Sequence, residues 1–266
     1  MSTVRNVMYA SILTMSAAYS GAAIGADSPS GTAKPPSGGG AKTVVLVHGA
    51  FADGSSWSSV IPLLQAKGLK VVAVQNPLTS LSDDVQFAKR AIDAQSGPVI
   101  LVGHSWGGTV ISEAGTNDKV KALVYVAAFA PSSGQSTSDT GKGFPVAPGI
   151  ATLQVDASGF ASLPPDAVRQ HFAQDVSPEQ ANLIATTQGL IRAASFDHKV
   201  STAAWLSKPS WYIVAKNDHM IPPDQQRAMA KKINARTTEL PASHVPMLSR
   251  PQDVANVIVS AAESIK

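Results

Sequence analysis

The chain has 266 residues, 44% of them hydrophobic and 15% charged, which is the composition of a compact protein with a sizeable core rather than of a disordered one. Its formal charge is only +3, and no basic stripe with interleaved aromatics is present, which argues against a nucleic-acid partner. There is no cysteine, which excludes a thiol nucleophile, disulfide staples, a thiolate metal site and a lipid-bearing cysteine at a processed N-terminus.

The first elements in chain order concern targeting. Met1 to Asn6 is short and carries Arg5, Val7 to Ala23 is apolar and small, and Ile24-Gly25-Ala26 closes the run. This three-part pattern predicts an export signal over residues 1–26 and a mature protein that is periplasmic or secreted. Ser11, Thr14, Ser16, Ser20 and Gly21 interrupt the apolar run, so it makes a poor spanning helix and no stable membrane insertion is expected after cleavage. Residues 27–41, rich in Ser, Pro and Gly, read as a flexible linker.

From residue 42 to 266 the pattern is that of one α/β domain. Thr43 to Val47, Lys70 to Val74, Val99 to Val102, Ala122 to Val126 and Trp211 to Ala215 are contiguous apolar, β-branched runs, as expected of strands covered on both faces. Thr237 to Leu240 adds a short strand. Between them, Val85, Ala88 and Ile92 recur at helical spacing, as do Val254, Val257, Ile258, Ala261 and Ile265. Alternation of this kind predicts a mostly parallel sheet flanked by helices. The rhythm breaks over about 131–208, which holds no strong strand but does hold a helix start at Ser177-Pro178-Glu179-Gln180. Leu163, Val168, Phe172, Leu183, Ile184, Leu190 and Ile191 make that stretch too apolar for a disordered loop, so it reads as a helical lid inserted over the strand ends.

The motif that carries chemistry is Gly103-His104-Ser105-Trp106-Gly107. G-x-S-x-G is weak alone, since a chain of this length shows one by chance about one time in ten. Its placement is what counts. It follows the strand Val99 to Val102, and a helix is expected to begin with Thr109, Val110 and Ile111 after Gly108. A strand–turn–helix junction presents a serine on a tight turn, where side chains two residues to either side would strike neighbouring backbone; glycine at both places removes the collision. Ser105 then projects from the carboxyl end of the sheet, where open α/β sheets bind ligands.

With Val44-Val45-Leu46-Val47-His48-Gly49-Ala50-Phe51, Trp57 and Gly103 to Gly108 in place, the chain resembles the α/β-hydrolase family, in its small lid-bearing branch of methyl-ester esterases and hydroxynitrile lyases. The resemblance runs from Lys42 to the C-terminus and is poorest over the insert. It implies a serine nucleophile, a triad in the chain order Ser, acid, His, and no metal or cofactor.

A serine hydroxyl needs a base, and of six histidines only His219 and His244 come late enough in the chain. His219 is adjacent to the best acid and cannot easily lie between it and Ser105. His244, in the loop Pro241-Ala242-Ser243-His244-Val245-Pro246, stands where the family places its base. Asp218 follows the strand Trp211 to Ala215 and matches the family's acid turn; Asp224 reads as a favourable charge in a first helical turn, and Asp197 is the outside alternative. His48 and His104 are expected to make structural hydrogen bonds, and His171 and His198 to lie on the insert, more in solvent than in contact. For the oxyanion, Trp106 supplies the N–H that follows the nucleophile. Carried over from the family, Ala50 supplies the second, with Phe51 the weaker choice.

These residues predict a serine carboxylesterase acting on small or aromatic carboxylic esters through an acyl-enzyme. Phe51, Trp106 and Met247 are the first candidates for substrate contact, with Phe129, Phe144, Phe160, Phe172 and Trp205 as further aromatics. Lyase chemistry is disfavoured, because the family's lyases carry a lysine where Val245 stands and a threonine where Gly49 stands. A cofactor-free haloperoxidase or lactonase on the same triad, and a small-molecule receptor that keeps the fold without turnover, are the competing readings.

Overall fold

The computed structural model describes residues 42–265. The expected signal and linker, residues 1–26 and 27–41, lie outside the described residues.

In chain order, β1 (Thr43–Val47) leads through a 3-10 turn (Gly54–Trp57) and α1 (Ile61–Gln65) to β2 (Lys70–Val74). Then come α2 (Leu81–Asp93), β3 (Val99–His104), α3 (Trp106–Ala114) and β4 (Val120–Val126). The insert carries α4 (Thr137–Thr140), β5 (Gln154–Val155), β6 (Phe160–Ser162), α5 (Pro165–Ala167), α6 (Pro178–Thr187) and β7 (Ile191–Arg192). The chain returns to the core with β8 (Ser210–Ala215), α7 (Pro223–Lys232), β9 (Arg236–Leu240), α8 (Pro246–Ser249) and α9 (Pro251–Glu263).

Six strands form one sheet in the order β2-β1-β3-β4-β8-β9, with every neighbouring pair parallel. The contiguous apolar runs of β1, β3 and β8 are buried throughout, as is β4 apart from Lys121, which is what strands covered by helices on both faces require. The edges differ. β2 is only partly buried, and β9 shows Arg236 to Glu239 to water and buries only Leu240; charged side chains on such an edge discourage pairing with other chains.

Helices pack on the sheet through the faces their spacing dictates. Val85, Ala88 and Ile92 of α2 are buried, and the helix is started by Ser80, whose hydroxyl accepts the Asp83 N–H at 3.0 Å. α9 buries Val254, Val257, Ile258 and Ala261, while Ile265, expected in the same stripe, falls beyond the helix end and is half-buried. α3 starts at Trp106, three residues earlier than expected, because Gly107 and Gly108 belong to its first turn rather than to the turn before it.

The insert is more mixed than a helical lid. Ser177 caps α6 as its sequence predicts, with Gln180 N–H donating to its hydroxyl at 3.2 Å. A small antiparallel sheet in the order β5-β6-β7 stands beside the helices. Its strands have two or three residues each, too few for an alternating pattern to register. The β5–β6 turn is held by Asp156, whose carboxylate accepts the N–H groups of Ser158 and Phe160 at 2.8 and 2.9 Å.

Strand register brings the functional loops together. Val47 pairs with Gly103, Gly103 with Tyr125, Tyr125 with Tyr212, and Ala215 with Leu240, so the carboxyl ends of these strands release their loops on the same side of the sheet. Leu101, fully buried in the centre of β3, tests this frame: Leu101→Ala is expected to cost about 2–5 kcal/mol, read as a lower urea midpoint with an unchanged slope.

Candidate active site

Ser105 occupies the turn between β3 and α3 with φ 52° and ψ −120°, a left-handed conformation that costs a non-glycine residue of order 1–3 kcal/mol. Neighbouring glycines make the turn possible. A Cβ on Gly103 would lie 2.5 Å from the Gly107 carbonyl oxygen, and one on Gly107 would lie 2.5 Å from the Val47 oxygen. A Cβ on Gly49 would come within 2.7 Å of the Ser105 Cβ itself, so β1 and its loop press against the nucleophile turn. The collisions expected on both sides of the serine are present.

The three side chains that the sequence selects meet at this turn. His244, four residues beyond β9, accepts the Ser105 hydroxyl at Nε2 (2.9 Å) and donates from Nδ1 to Asp218 Oδ2 (2.8 Å). Both are buried, with 1% of His244 and 4% of Asp218 exposed. Asp218 sits three residues beyond β8. Its Oδ1 accepts the N–H groups of Met220 and Ile221 at 2.7 and 3.0 Å, and its Oδ2 also accepts Gln226 Nε2 at 2.7 Å. A buried carboxylate requires donors of this kind, and together they fix its direction. Gln226 was not visible as a site residue in the sequence: it is one of two adjacent glutamines on α7, and nothing local distinguishes it.

The other acids and histidines fall away from the relay. Asp224 pairs with Arg227 on the surface, as its first-turn position suggests, and Asp197 is exposed. His48 donates from Nδ1 to the Gly49 carbonyl at 2.8 Å and accepts the Asn76 N–H at Nε2 at 2.9 Å. His104 donates from Nε2 to the carbonyl of His244 at 2.8 Å. Burial lowers the pKa of both, that of His104 well below the ordinary histidine value, so both stay neutral and structural. His171 departs from expectation, since it is half-buried with its Nδ1 3.3 Å from that of His219, in the turn next to Asp218. His198 is exposed, as expected of the insert.

The backbone N–H groups of Ala50 and Trp106 have no backbone acceptor in the turns and loops among the described residues. The Phe51 N–H is taken up by the Gly189 carbonyl at 3.1 Å, which removes it as a donor to a ligand.

A cavity of about 320 Å³ opens at Ser105, near the lower end of the range for small-molecule sites. Ala50, Phe51, Phe129, Phe144, Ile150, Leu153, Phe196 and Ile221 give it apolar walls, and Thr137, Ser138 and Gln225 supply neutral polar groups. Among the described residues no Lys, Arg, Asp or Glu lines it. Phe51 is placed as expected, but Trp106 and Met247 are not. The Trp106 ring is fully buried, donates from Nε1 to Asp84 Oδ2 at 2.7 Å and packs edge-on against Phe196. Met247 is fully buried in α8 and does not line the cavity. Of the further aromatics, Phe129 and Phe144 line it, while Phe172 packs against the His244 ring at 5.1 Å. Among the described residues no group of three or more His, Asp or Glu could hold a metal ion.

Known proteins resemble this chain in sequence and fold. A family model described as the alpha/beta hydrolase family matches residues 44–257, and the chain belongs to that family. A pyrethroid hydrolase of Sphingobium wenxiniae is 29% identical over 254 residues, spanning 83% of this chain and 88% of its own. Methylesterase 2 of Arabidopsis thaliana is 28% identical over 251 residues, spanning 83% of this chain and 95% of its own. Among solved structures, a pyrethroid hydrolase superposes with a TM-score of 0.75 at 25% identity, over 85% of this chain and 98% of that one. The chain is therefore a hydrolase of this family with relatives named as esterases.

Gly49→Ala probes the contact between the β1 loop and the nucleophile turn. The added methyl must displace either Ser105 or the loop that carries the Ala50 N–H, so ester hydrolysis is expected to fall at least about tenfold in kcat, measured on the folded variant.

Proposed function

We propose that the protein is a serine carboxylesterase that hydrolyses small or aromatic carboxylic esters through an acyl-enzyme on Ser105. The reading is carried by one observation, the continuous relay from the Ser105 hydroxyl through His244 to Asp218 at 2.9 and 2.8 Å, opening on an uncharged cavity. Relatives named as methylesterase and pyrethroid hydrolase support the choice of esters.

In this mechanism His244 Nε2 takes the hydroxyl proton as Ser105 Oγ attacks the ester carbonyl. Asp218 holds the imidazole in the tautomer with its proton on Nδ1 and stabilises the cation that forms. The N–H groups of Ala50 and Trp106 hold the oxyanion, each worth a few kcal/mol because a water-excluding cavity strengthens them. His244 then protonates the leaving alcohol, the ester C–O bond breaks, and water repeats the sequence on the acyl-enzyme to release the acid and restore the serine. No step calls for a metal or a cofactor. The walls of the cavity suit a neutral ester with an apolar or aromatic group and offer no cation to a substrate's carboxylate. The apolar N-terminal run, outside the described residues, supports a site of action beyond the cytoplasmic membrane.

With p-nitrophenyl acetate, the wild type is expected to give a burst of p-nitrophenol followed by slower turnover, and Ser105→Ala to lose the burst together with about 10⁴-fold or more of kcat. Equal rates for the two proteins would refute the reading and leave a binding protein in its place.

A further inference from the structure

One buried ionisable side chain near the site takes no part in the proposed cycle. Asp84, on the first turn of α2, is fully buried, and among the described residues no Lys or Arg pairs with it. Its Oδ1 accepts the Leu78 N–H at 2.8 Å and its Oδ2 accepts Trp106 Nε1–H at 2.7 Å. Burial pushes its carboxyl up to about 6, so at neutral pH the group is charged against a desolvation cost that these two bonds only partly offset. A fold that needed only an apolar helix face here would do better with leucine. A retained buried charge asks for a role.

We propose that Asp84 is a positioning residue for the oxyanion hole, holding the Trp106 indole on one side and, through Leu78, the strand that anchors the Phe51 loop on the other. The proposal rests on the serine esterase reading.

On the first side, the Trp106 indole and the Trp106 N–H belong to the same residue at the start of α3, so a shift of the ring turns the donor. On the second, Leu78 stands at φ 58°, a conformation its bond to Asp84 helps to hold. Its carbonyl accepts the Arg192 N–H at 2.9 Å, in β7. Three residues before Arg192, the Gly189 carbonyl accepts the Phe51 N–H at 3.1 Å. Gly189 is wedged in place, since a Cβ there would lie 2.8 Å from Leu78 Cδ1 and 3.0 Å from the Ala52 oxygen. Phe51 follows Ala50 directly, so the second donor sits one peptide from this anchor. A single carboxylate thus reaches both N–H groups that must converge on one oxygen atom. The chemistry also explains a carboxylate rather than an amide: two donors approach the two oxygens, and asparagine would turn an N–H toward one of them.

The test uses the full-length protein and p-nitrophenyl acetate, comparing Trp106→Phe, Asp84→Leu and the double variant. Trp106→Phe removes the indole N–H while keeping an aromatic ring at the position, a smaller change to the buried charge balance than Asp84→Leu, so it remains informative if Asp84→Leu fails to fold. Burst amplitude counts correctly folded sites, and the burst rate reports the chemistry. Expected are an unchanged amplitude, a KM within about twofold of wild type and a burst rate lower by about 10- to 100-fold in each single variant. The double variant should be no slower than the slower single one, because both changes break the same contact. A boronic acid that mimics the tetrahedral intermediate should weaken by a similar factor. The proposal is overturned if Trp106→Phe reacts at the wild-type rate, if the losses multiply in the double variant, or if the loss appears in amplitude or KM alone. Absence of a Ser105-dependent burst in the wild type would instead overturn the esterase reading itself.

Discussion

The bond between Ser105 and His244 joins residues 139 positions apart, and most of the structure around it exists to keep those two atoms 2.9 Å from each other. Neither side chain is held by its own loop alone. Ser105 is fixed by a left-handed turn that three glycines permit, packed so closely that none could carry a methyl group without moving backbone. His244 is fixed from behind by His104, the residue before the serine, whose ring donates to the His244 carbonyl at 2.8 Å. The Ser105 turn therefore grips the His244 loop directly, and serine and imidazole cannot drift apart without breaking a buried bond. Parallel strands with level ends make this possible, because β3 and β9 release their loops on the same side of the sheet.

Charge in the site is kept in few places. Three imidazoles are buried near Ser105, and burial lowers the pKa of two of them, His48 and His104, so that they act as neutral spacers between backbone groups. Their neutrality matters for His244, since a cation at His104, whose ring centre lies 4.8 Å from its own, would repel any positive charge placed there. The charge that does stand beside His244 is the carboxylate of Asp218, held in direction by Met220, Ile221 and Gln226. Among the described residues no charged side chain lines the cavity wall, so the nearest buried carboxylates stand behind it, Asp218 on His244 and Asp84 on the Trp106 indole.

How much could be read from the sequence depends on how local each signal is. The strands of the main sheet are runs of β-branched residues buried on both faces, so the fold was legible, and Ser105, Asp218 and His244, each selected by its place relative to a strand end, do meet in space. Features that depend on direction were not legible. Trp106 borders Ser105, where contact with a substrate is the natural expectation, but its ring turns to Asp84. Met247 borders the base's loop in the same way and is buried beneath it. The insert's small sheet escaped because its strands are shorter than one period of alternation can reveal. Gln226 and Asp84 escaped for a different reason: each acts on a residue distant in sequence, 8 and 22 positions away, and the partner becomes visible only in three dimensions.

The insert is more than a cover. It supplies Thr137, Phe144, Ile150 and Phe196 to the cavity wall, which decides what can enter. It also supplies bonds that reach the catalytic loops from outside: Gly189 to the Phe51 N–H, Asp175 to the Ser243 N–H at 2.7 Å, and Gln174 to the Asn217 carbonyl at 2.6 Å. These three contacts touch the neighbours of Ala50, His244 and Asp218 in turn. An insert that opened as a rigid flap would release all three loops together and dismantle the site each time substrate entered. These contacts tie the insert to the loops around the site, and Val146, which is 74% exposed, is among the insert residues that line the cavity. Substitutions within the insert therefore reach the site in two ways, through the position of these loops and through the shape of the cavity.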